Sequence, residues 1–252
     1  MNSVSVRALL VRGMVAGLVA SLFAALVSYL LGEPRVDSAI AFEEAHEAAG
    51  HEHGEELVSR ALQSTAGLTT GVVLFGVALG GIAALVTCFL LGRIGRFHAR
   101  ATVALVAVGA FVAVTLVPFF KYPANPPSVG DPDTVGERTT LYLLMIALSL
   151  LLAAGAVILG RRLAPRLGNW HASVVAGVAF VAAIGLAYAF LPAVNEVPAD
   201  FPATLMWQFR LASLAIQATL WAVFGLVFGE LAQRLLQPAP AAAARESAAV
   251  VS

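Results

Sequence analysis

Hydrophobic and polar positions alternate along this chain in long blocks, not with the short periods of a water-soluble fold. Six apolar blocks of roughly 20 residues contain no Lys, Arg, Asp or Glu, and polar segments separate them. The blocks occupy residues 13–31, 67–92, 101–120, 141–160, 172–191 and 211–229. A helix that crosses hydrocarbon about 30 Å thick needs roughly 20 apolar residues. The pattern therefore predicts an all-α integral membrane protein with six transmembrane helices.

Composition supports the same class, because 60% of the residues are hydrophobic and 12% are charged. Soluble domains are about half apolar and about a quarter charged. We predict a membrane domain over residues 1–235 and a disordered Ala/Pro tail over residues 236–252. Cys88, the single cysteine, excludes an intrachain disulfide. Arg7 and Arg12 before the first block also suit a cleaved secretory signal, but the block is too long for one, so we expect it to be retained.

Charged residues divide unevenly between alternate segments of the chain. Ten of the 15 basic residues fall in the N-terminus, segments 93–100 and 161–170, and the C-terminal tail. Thirteen of the 15 acidic residues fall in the other three segments. The positive-inside rule therefore places both termini in the cytoplasm. The outer segments hold five basic and thirteen acidic residues, a net charge of −8, which concentrates cations near that surface.

Two proline-rich segments follow the third and fifth blocks. Residues 121–133 contain four prolines and residues 192–202 contain three. Each segment includes an asparagine and precedes an arginine and another apolar block. The first pair of blocks matches more loosely, with Pro34 after one block and Arg60 before the next, so the pattern suggests three parallel helical hairpins. The alternative is that Pro and Arg are simply common at the ends of spans.

Proline stiffens these segments and removes backbone donors, so we expect free carbonyl oxygens in them. Irregular backbone at membrane depth is tolerated where it lines protein or water. We therefore predict that both segments line an outer entrance, with rigid connectors as the alternative. The candidate entrance residues are Lys121, Asn125, Asp131, Asp133, Arg138, Asn195, Glu196, Asp200 and Arg210.

The outer segment 32–65 concentrates histidine and glutamate. Neutral imidazole suits zinc, nickel, copper and cobalt, and carboxylate oxygens can complete a higher coordination number. The candidate metal ligands are His46, His51, His53, Glu43, Glu47, Glu52 and Glu55. A helix would place Glu47, His51 and Glu55 on one face, whereas Gly50 and Gly54 favour a flexible arm. A solvated acidic linker without metal is the alternative.

Several function classes lack their motifs in this sequence. The apolar blocks contain no carboxylate or lysine, the usual mark of a proton relay. No phosphate-binding loop, nucleophile elbow or zinc-protease motif occurs, so we expect no ATP binding and no enzyme activity. Nothing indicates nucleic acid as a partner. Gly-x-x-x-Gly occurs at 13/17, 67/71, 76/80 and 225/229, which favours internal helix packing over a specific homo-oligomer.

The proline-rich segments carry a family resemblance. Residues 118–127 are PFFKYPANPP, residues 129–134 are VGDPDT, and residues 191–202 are LPAVNEVPADFP. Arg138 follows the first group, and Trp207 and Arg210 follow the second. With its spans, the chain up to about residue 235 resembles the CbtA proteins, predicted cobalt transporter subunits of bacteria.

The resemblance implies cobalt uptake associated with cobalamin synthesis, in the bacterial inner membrane. It also implies a partner, CbtB, which is a small single-span subunit that carries histidines. CbtA proteins are often described with five spans, so a count of six differs from the family pattern. The family assigns no ligand residues firmly, so none is transferred to this chain.

The resulting hypothesis is a membrane subunit that takes up cobalt(II) as substrate, with nickel or zinc as alternatives that the same ligands would hold. The His/Glu segment would capture the ion and the Pro/Asn segments would form the entrance. A second hypothesis is a metal-binding scaffold that passes ions to another transporter without conducting them. A third is a membrane enzyme that acts on lipid.

Overall fold

The computed structural model describes residues 3–47, 62–95, 97–127, 129–130 and 134–236. Within these ranges the regular structure is entirely helical. The predicted all-α class is therefore confirmed.

Seven α-helices and three short π-helical turns make up the described chain. Helix α1 spans Ser3–Val27, α2 spans Glu33–Glu47, α3 spans Leu68–Leu90, α4 spans Ala99–Ala110, α5 spans Val117–Lys121, α6 spans Val135–Phe190 and α7 spans Ala203–Leu236. The π-helical turns are Ser28–Gly32, Gln63–Gly67 and Phe111–Leu116. The first turn makes α1 continuous with α2, and the second leads into α3. The third makes α4 continuous with α5.

Two of these π-helical turns end two residues before a proline. Ser28–Gly32 precedes Pro34, and Phe111–Leu116 precedes Pro118. Proline removes an i→i−4 hydrogen bond and its ring clashes with the preceding turn. A widened π-helical turn relieves that clash without ending the helix. Helical structure therefore continues to Glu47, well into the segment 32–65 that the hydropathy pattern assigns to an outer loop.

Five helical segments are long and apolar enough to cross a membrane. They are Ser5–Ala45, Ser64–Leu90, Ala99–Lys121, Val135–Phe190 and Ala203–Leu236. The predicted fourth and fifth apolar blocks both lie in α6, which has 56 residues. Within α6, Pro165 lies near Gly168, whose φ of 75° and ψ of 161° are not helical. Only glycine adopts such angles readily, so Gly168 marks a break between two helical halves.

One compact unit contains α1, α3, most of α4 and the C-terminal part of α7. In it, α1 and α3 pack along their Gly-x-x-x-Gly faces. A Cβ atom at Gly17 would overlap the carbonyl oxygen of Gly76, and one at Gly80 would overlap the carbonyl oxygen of Gly13. Backbones approach this closely only where side chains are absent. The 13/17 and 76/80 pairs therefore pack helices within one chain, as the sequence predicted.

Aromatic side chains of α7 also lie in the core of this unit. Phe228 is fully buried, and its ring centroid lies 5.3 Å from that of Phe224. Trp221 meets Phe224 edge to face at 6.1 Å. A cavity of about 10 Å³ lies between Trp221, Phe224 and the glycines of α1 and α3, which is room for about one water molecule.

The second compact unit contains α2, α5, α6 and the first part of α7. One of its apolar clusters joins Val117, Tyr122, Met145, Ile184 and Ala187. Another joins Ala39, Val129, Phe201 and Met206, and Phe42 meets Phe201 edge to face at 5.1 Å. These clusters hold the two proline-rich segments against the helices that flank them.

Candidate functional site

Both proline-rich segments begin where a helix ends. Helix α5 ends at Lys121, and Tyr122 donates its backbone N–H to the carbonyl of Pro118 at 2.8 Å. Helix α6 ends at Phe190, and Leu191 donates to Ala187 at 2.9 Å. A proline disfavours helical angles in the residue before it, which explains why both helices stop just before Pro123 and Pro192.

Three side chains join the first proline-rich segment and α5 to the second segment and α6. Lys121 Nζ donates to the carbonyl of Tyr188 at 2.8 Å. The Tyr122 hydroxyl donates to the carbonyl of Pro192 at 2.9 Å, and the Tyr188 hydroxyl donates to the carbonyl of Val117. These three hydrogen bonds join α5 and the residue after it to the C-terminal end of α6 and the start of the second segment.

A largely buried ion pair lies in the same region. Arg138 Nη1 donates to Glu196 Oε2 at 3.0 Å, and Thr134 Oγ1 donates to Glu196 Oε1. The Glu196 side chain is 5% exposed and that of Arg138 is 27% exposed. Arg138 Nη2 also donates to the carbonyl of Pro123 at 3.2 Å. Arg138 therefore binds both proline-rich segments at once.

Arg210, near the start of α7, binds the first segment from another helix. Its Nε donates to the carbonyl of Ala124 at 3.3 Å, and its Nη2 donates to Asn125 Oδ1 at 3.1 Å. We call the whole assembly the loop cluster. Its members are Lys121, Tyr122, Pro123, Ala124, Asn125, Thr134, Arg138, Tyr188, Pro192, Glu196 and Arg210.

The structure unites five of the nine predicted entrance residues in this cluster: Lys121, Asn125, Arg138, Glu196 and Arg210. Asn195 and Asp200 are exposed in the segment that also carries Glu196. Asp131 and Asp133 lie outside the described residues. All four charged members of the cluster are among the candidates named from the sequence, and their role at an entrance stays a prediction.

The expectation of free carbonyl oxygens is wrong at three positions. The carbonyls of Pro123, Ala124 and Pro192 accept hydrogen bonds from Arg138, Arg210 and Tyr122. Proline removes donors from its own segment, but long side chains from neighbouring helices replace them. Guanidinium groups occupy two of these carbonyls, so those oxygens are not open ligands for a metal cation.

Burial raises the pKa of the Tyr122 hydroxyl above its ordinary value, and the charge of Glu137 raises this pKa further. The neutral hydroxyl is the form that donates to Pro192. The stabilisation from this raised pKa is fully present below the ordinary tyrosine pKa and is lost as pH rises through the raised one. The bond between the two segments therefore persists throughout the neutral range.

All the residues of the loop cluster lie within a stretch of the chain that matches a protein family. The family model described as "Probable cobalt transporter subunit (CbtA)" matches residues 6–233. The chain belongs to the CbtA family. No curated protein and no solved structure matches it.

Membership makes this CbtA protein a transporter subunit of the membrane, in agreement with its five long apolar helices. A subunit implies at least one partner. The family description is that of a cobalt transporter subunit. The resemblance read from the proline-rich segments is thus confirmed over 6–233.

The predicted metal ligands of this CbtA protein fall mostly beyond what the structure describes. His51, His53, Glu52 and Glu55 lie outside the described residues. Glu43 is half-buried on α2, and His46 and Glu47 lie in the last turn of that helix. Within the described ranges, no three His, Cys, Asp or Glu side chains are grouped as a metal site would require. The metal site stays a prediction.

A second polar cluster of this CbtA protein lies in the other compact unit. Glu230 on α7 contacts Arg100 and Arg234, each at 2.6 Å. Gln233 Oε1 accepts from the backbone N–H of Arg100 at 3.3 Å. The Glu230 side chain is 38% exposed, so water screens these pairs more than the pair in the loop cluster.

Sequence reasoning missed Tyr122, Thr134 and Tyr188 as members of the loop cluster. Tyr122 and Tyr188 lie at the ends of apolar stretches, where tyrosine commonly marks the membrane interface. A position at the membrane interface explains both tyrosines without requiring a hydrogen-bond acceptor elsewhere in the chain. Their hydroxyl acceptors lie about 70 residues away along the chain, which no local pattern reveals.

Proposed function

We propose that this CbtA protein is the membrane subunit of a cobalt uptake system linked to cobalamin synthesis, in the bacterial inner membrane. Its His/Glu segment captures the ion outside, and the loop cluster frames the entrance. The family match over residues 6–233 carries the proposal. The net charge of −8 on the predicted outer segments supports it, because that surface attracts divalent cations.

Six crossings with both termini inside fit this role. Helix α6 has 56 residues, which at about 1.5 Å per residue is more than twice the length needed to cross hydrocarbon. Arg161, Arg162 and Arg166 lie beside its break at Gly168, between two uncharged blocks. Two crossings keep these arginines in water, whereas one would bury them. The same arrangement is compatible with three parallel hairpins.

Cysteine labelling tests this topology. With Cys88 replaced by serine, we expect Asn195→Cys to react with a membrane-impermeant maleimide on intact cells, because Asn195 lies in an outer segment. Asn169→Cys should react only after the cells are permeabilised. Both asparagines are exposed, so access to the reagent does not differ for other structural reasons. Equal labelling of the two variants on intact cells would refute the six-span arrangement.

The loop cluster suits the entrance as a rigid frame. Its hydrogen bonds fix both proline-rich segments relative to α6 and the start of α7. Three cationic side chains and the engaged carbonyls make it a poor ligand set for Co²⁺. We therefore propose that ions pass beside this frame, toward acidic side chains of the outer segments, and that the frame holds its shape while they do.

Histidine substitutions test capture. We expect replacement of His46, His51 and His53 by alanine to reduce radioactive cobalt uptake strongly at low cobalt and little at high cobalt. A capture segment raises the local ion concentration, and this advantage disappears once cobalt is abundant. The assay uses cells that lack other importers and express the chain with its small histidine-bearing CbtB-type partner. An equal loss at all cobalt concentrations would contradict a capture role.

Competition in the same assay addresses the choice of metal. Nickel and zinc suit the same imidazole and carboxylate ligands, so they should compete if the His/Glu segment sets the preference. Cobalt uptake that does not depend on this chain and its partner would overturn the proposal as a whole.

A metal-handling scaffold is the second candidate. It is favoured by the six apolar blocks, which contain no charged residue to line a route for a cation. A scaffold would bind cobalt and pass it to another transporter. Liposomes that contain the chain and its partner separate the two functions, because a conducting complex moves cobalt inward and a scaffold does not.

A further inference from the structure

Helix α6 carries an exposed basic segment at its break, formed by residues 161–170. Arg161, Arg162 and Arg166 are all exposed. Pro165 removes one backbone donor, and Gly168 leaves the helical region. The basic segment therefore lies at the end of one apolar stretch and at the start of the next.

Within the part of the chain that the structure describes, no carboxylate neutralises the charge of this segment. The sequence contains no Asp or Glu between Glu137 and Glu196. Among the described residues, none forms an ion pair or hydrogen bond with the side chain of any of the three arginines. Arg100, Arg138 and Arg210 differ in this respect, because each of them binds a described acceptor or carboxylate. Three exposed guanidinium groups thus remain available to an external anion.

Large apolar side chains accompany these charges. Trp170 is 76% exposed and Leu167 is 44% exposed. Tryptophan prefers the layer between lipid headgroups and hydrocarbon. Arg162 and Arg166 are four residues apart, so they lie on one face of the helix. Guanidinium groups present a planar set of donors that matches phosphate oxygens.

We propose that the basic segment binds the headgroup phosphates of anionic phospholipids, with Trp170 and Leu167 in the interfacial layer. The combination of unpaired arginines and exposed apolar side chains at a membrane boundary favours lipid over a soluble acidic partner. This proposal rests on the six-span arrangement, which places the segment at the membrane surface. It requires no cobalt, so it succeeds or fails independently of the transport activity.

Lipid retention measures the proposed binding. The chain with its partner is reconstituted in nanodiscs of equal parts phosphatidylglycerol and phosphatidylcholine. The complex is then extracted into detergent, and the lipids that remain bound to it are counted by native mass spectrometry. We expect the wild type to retain phosphatidylglycerol preferentially. R161Q/R162Q/R166Q should lose this preference, by on the order of fivefold for each arginine removed. R161K/R162K/R166K should keep most of it, because the charge remains.

Two controls distinguish a specific lipid site from non-specific attraction to basic residues and from a site for soluble phosphate compounds. R7Q/R93Q removes two exposed arginines elsewhere and should reduce the preference far less than the triple glutamine variant does. Soluble glycerol 3-phosphate should not displace the retained lipid. The proposal is overturned if the triple glutamine variant retains phosphatidylglycerol as the wild type does, if R7Q/R93Q loses as much, or if glycerol 3-phosphate displaces the lipid. If the triple variant does not fold, the three single variants are measured, and an unchanged preference in all of them is equally decisive.

Discussion

Arg138→Gln is expected to destabilise the loop cluster by about 3 kcal/mol, since it leaves the Glu196 carboxylate charged, largely buried and without its cationic partner. The change also removes the donor to the carbonyl of Pro123. We expect a lower thermal unfolding midpoint in detergent and reduced cobalt uptake. Fluorescence-detected unfolding and the radioactive uptake assay measure the two effects.

The reciprocal change should be milder. Glu196→Gln keeps an oxygen that accepts from Thr134, and it leaves an unpaired charge on Arg138, which is more exposed than Glu196. The double variant R138Q/E196Q should recover part of the stability lost in Arg138→Gln, because neither charge is then left alone. A matched control is Glu230→Gln, which breaks an exposed pair and should change the midpoint little. Similar midpoints for Arg138→Gln and Glu230→Gln would contradict this account of the cluster.

Hydropathy alone predicted the helical class, and the blocks 67–92 and 101–120 agree to within two residues with Leu68–Leu90 and Ala99–Lys121. It could do so because hydrocarbon thickness imposes a minimum run of apolar residues, which is a local property of the sequence. Hydropathy did not predict that α1 continues into α2. Glu33, Pro34 and Asp37 look like the start of a loop, yet the turn Ser28–Gly32 carries the helix past Pro34. Proline predicts a disturbance but not whether the helix ends or widens.

The charged members of the loop cluster could be named from the sequence, but their partners could not. Arg138 reaches Pro123 across 15 residues and Glu196 across 58, and Arg210 reaches Asn125 across 85. Such pairings depend on which helices become neighbours, and a single sequence does not encode that in any local period. The error about free carbonyls has the same origin, because donors distant in sequence satisfy them.

The Gly-x-x-x-Gly faces illustrate the opposite case. Glycine spacing correctly suggested close helix contact, but the apolar blocks contain four such pairs, and the sequence does not say which ones meet. In the structure, the 13/17 pair meets the 76/80 pair, whereas a Cβ at Gly71 would find no atom within 4 Å. Identical motifs therefore contribute differently to the stability of the fold, and substitution of single glycines measures the difference.

Gly17→Ala is expected to disrupt the packing of α1 against α3, because the added methyl group would overlap the carbonyl oxygen of Gly76. Overpacking of this kind costs about 1–3 kcal/mol. Gly71→Ala adds the same methyl group to α3 in open space, so it should be neutral or stabilise the helix slightly. The two variants differ only in what the methyl group meets, and the difference in their thermal midpoints therefore reports the close approach itself. Equal midpoints and equal yields of folded protein would mean that α1 and α3 do not pack through these glycines.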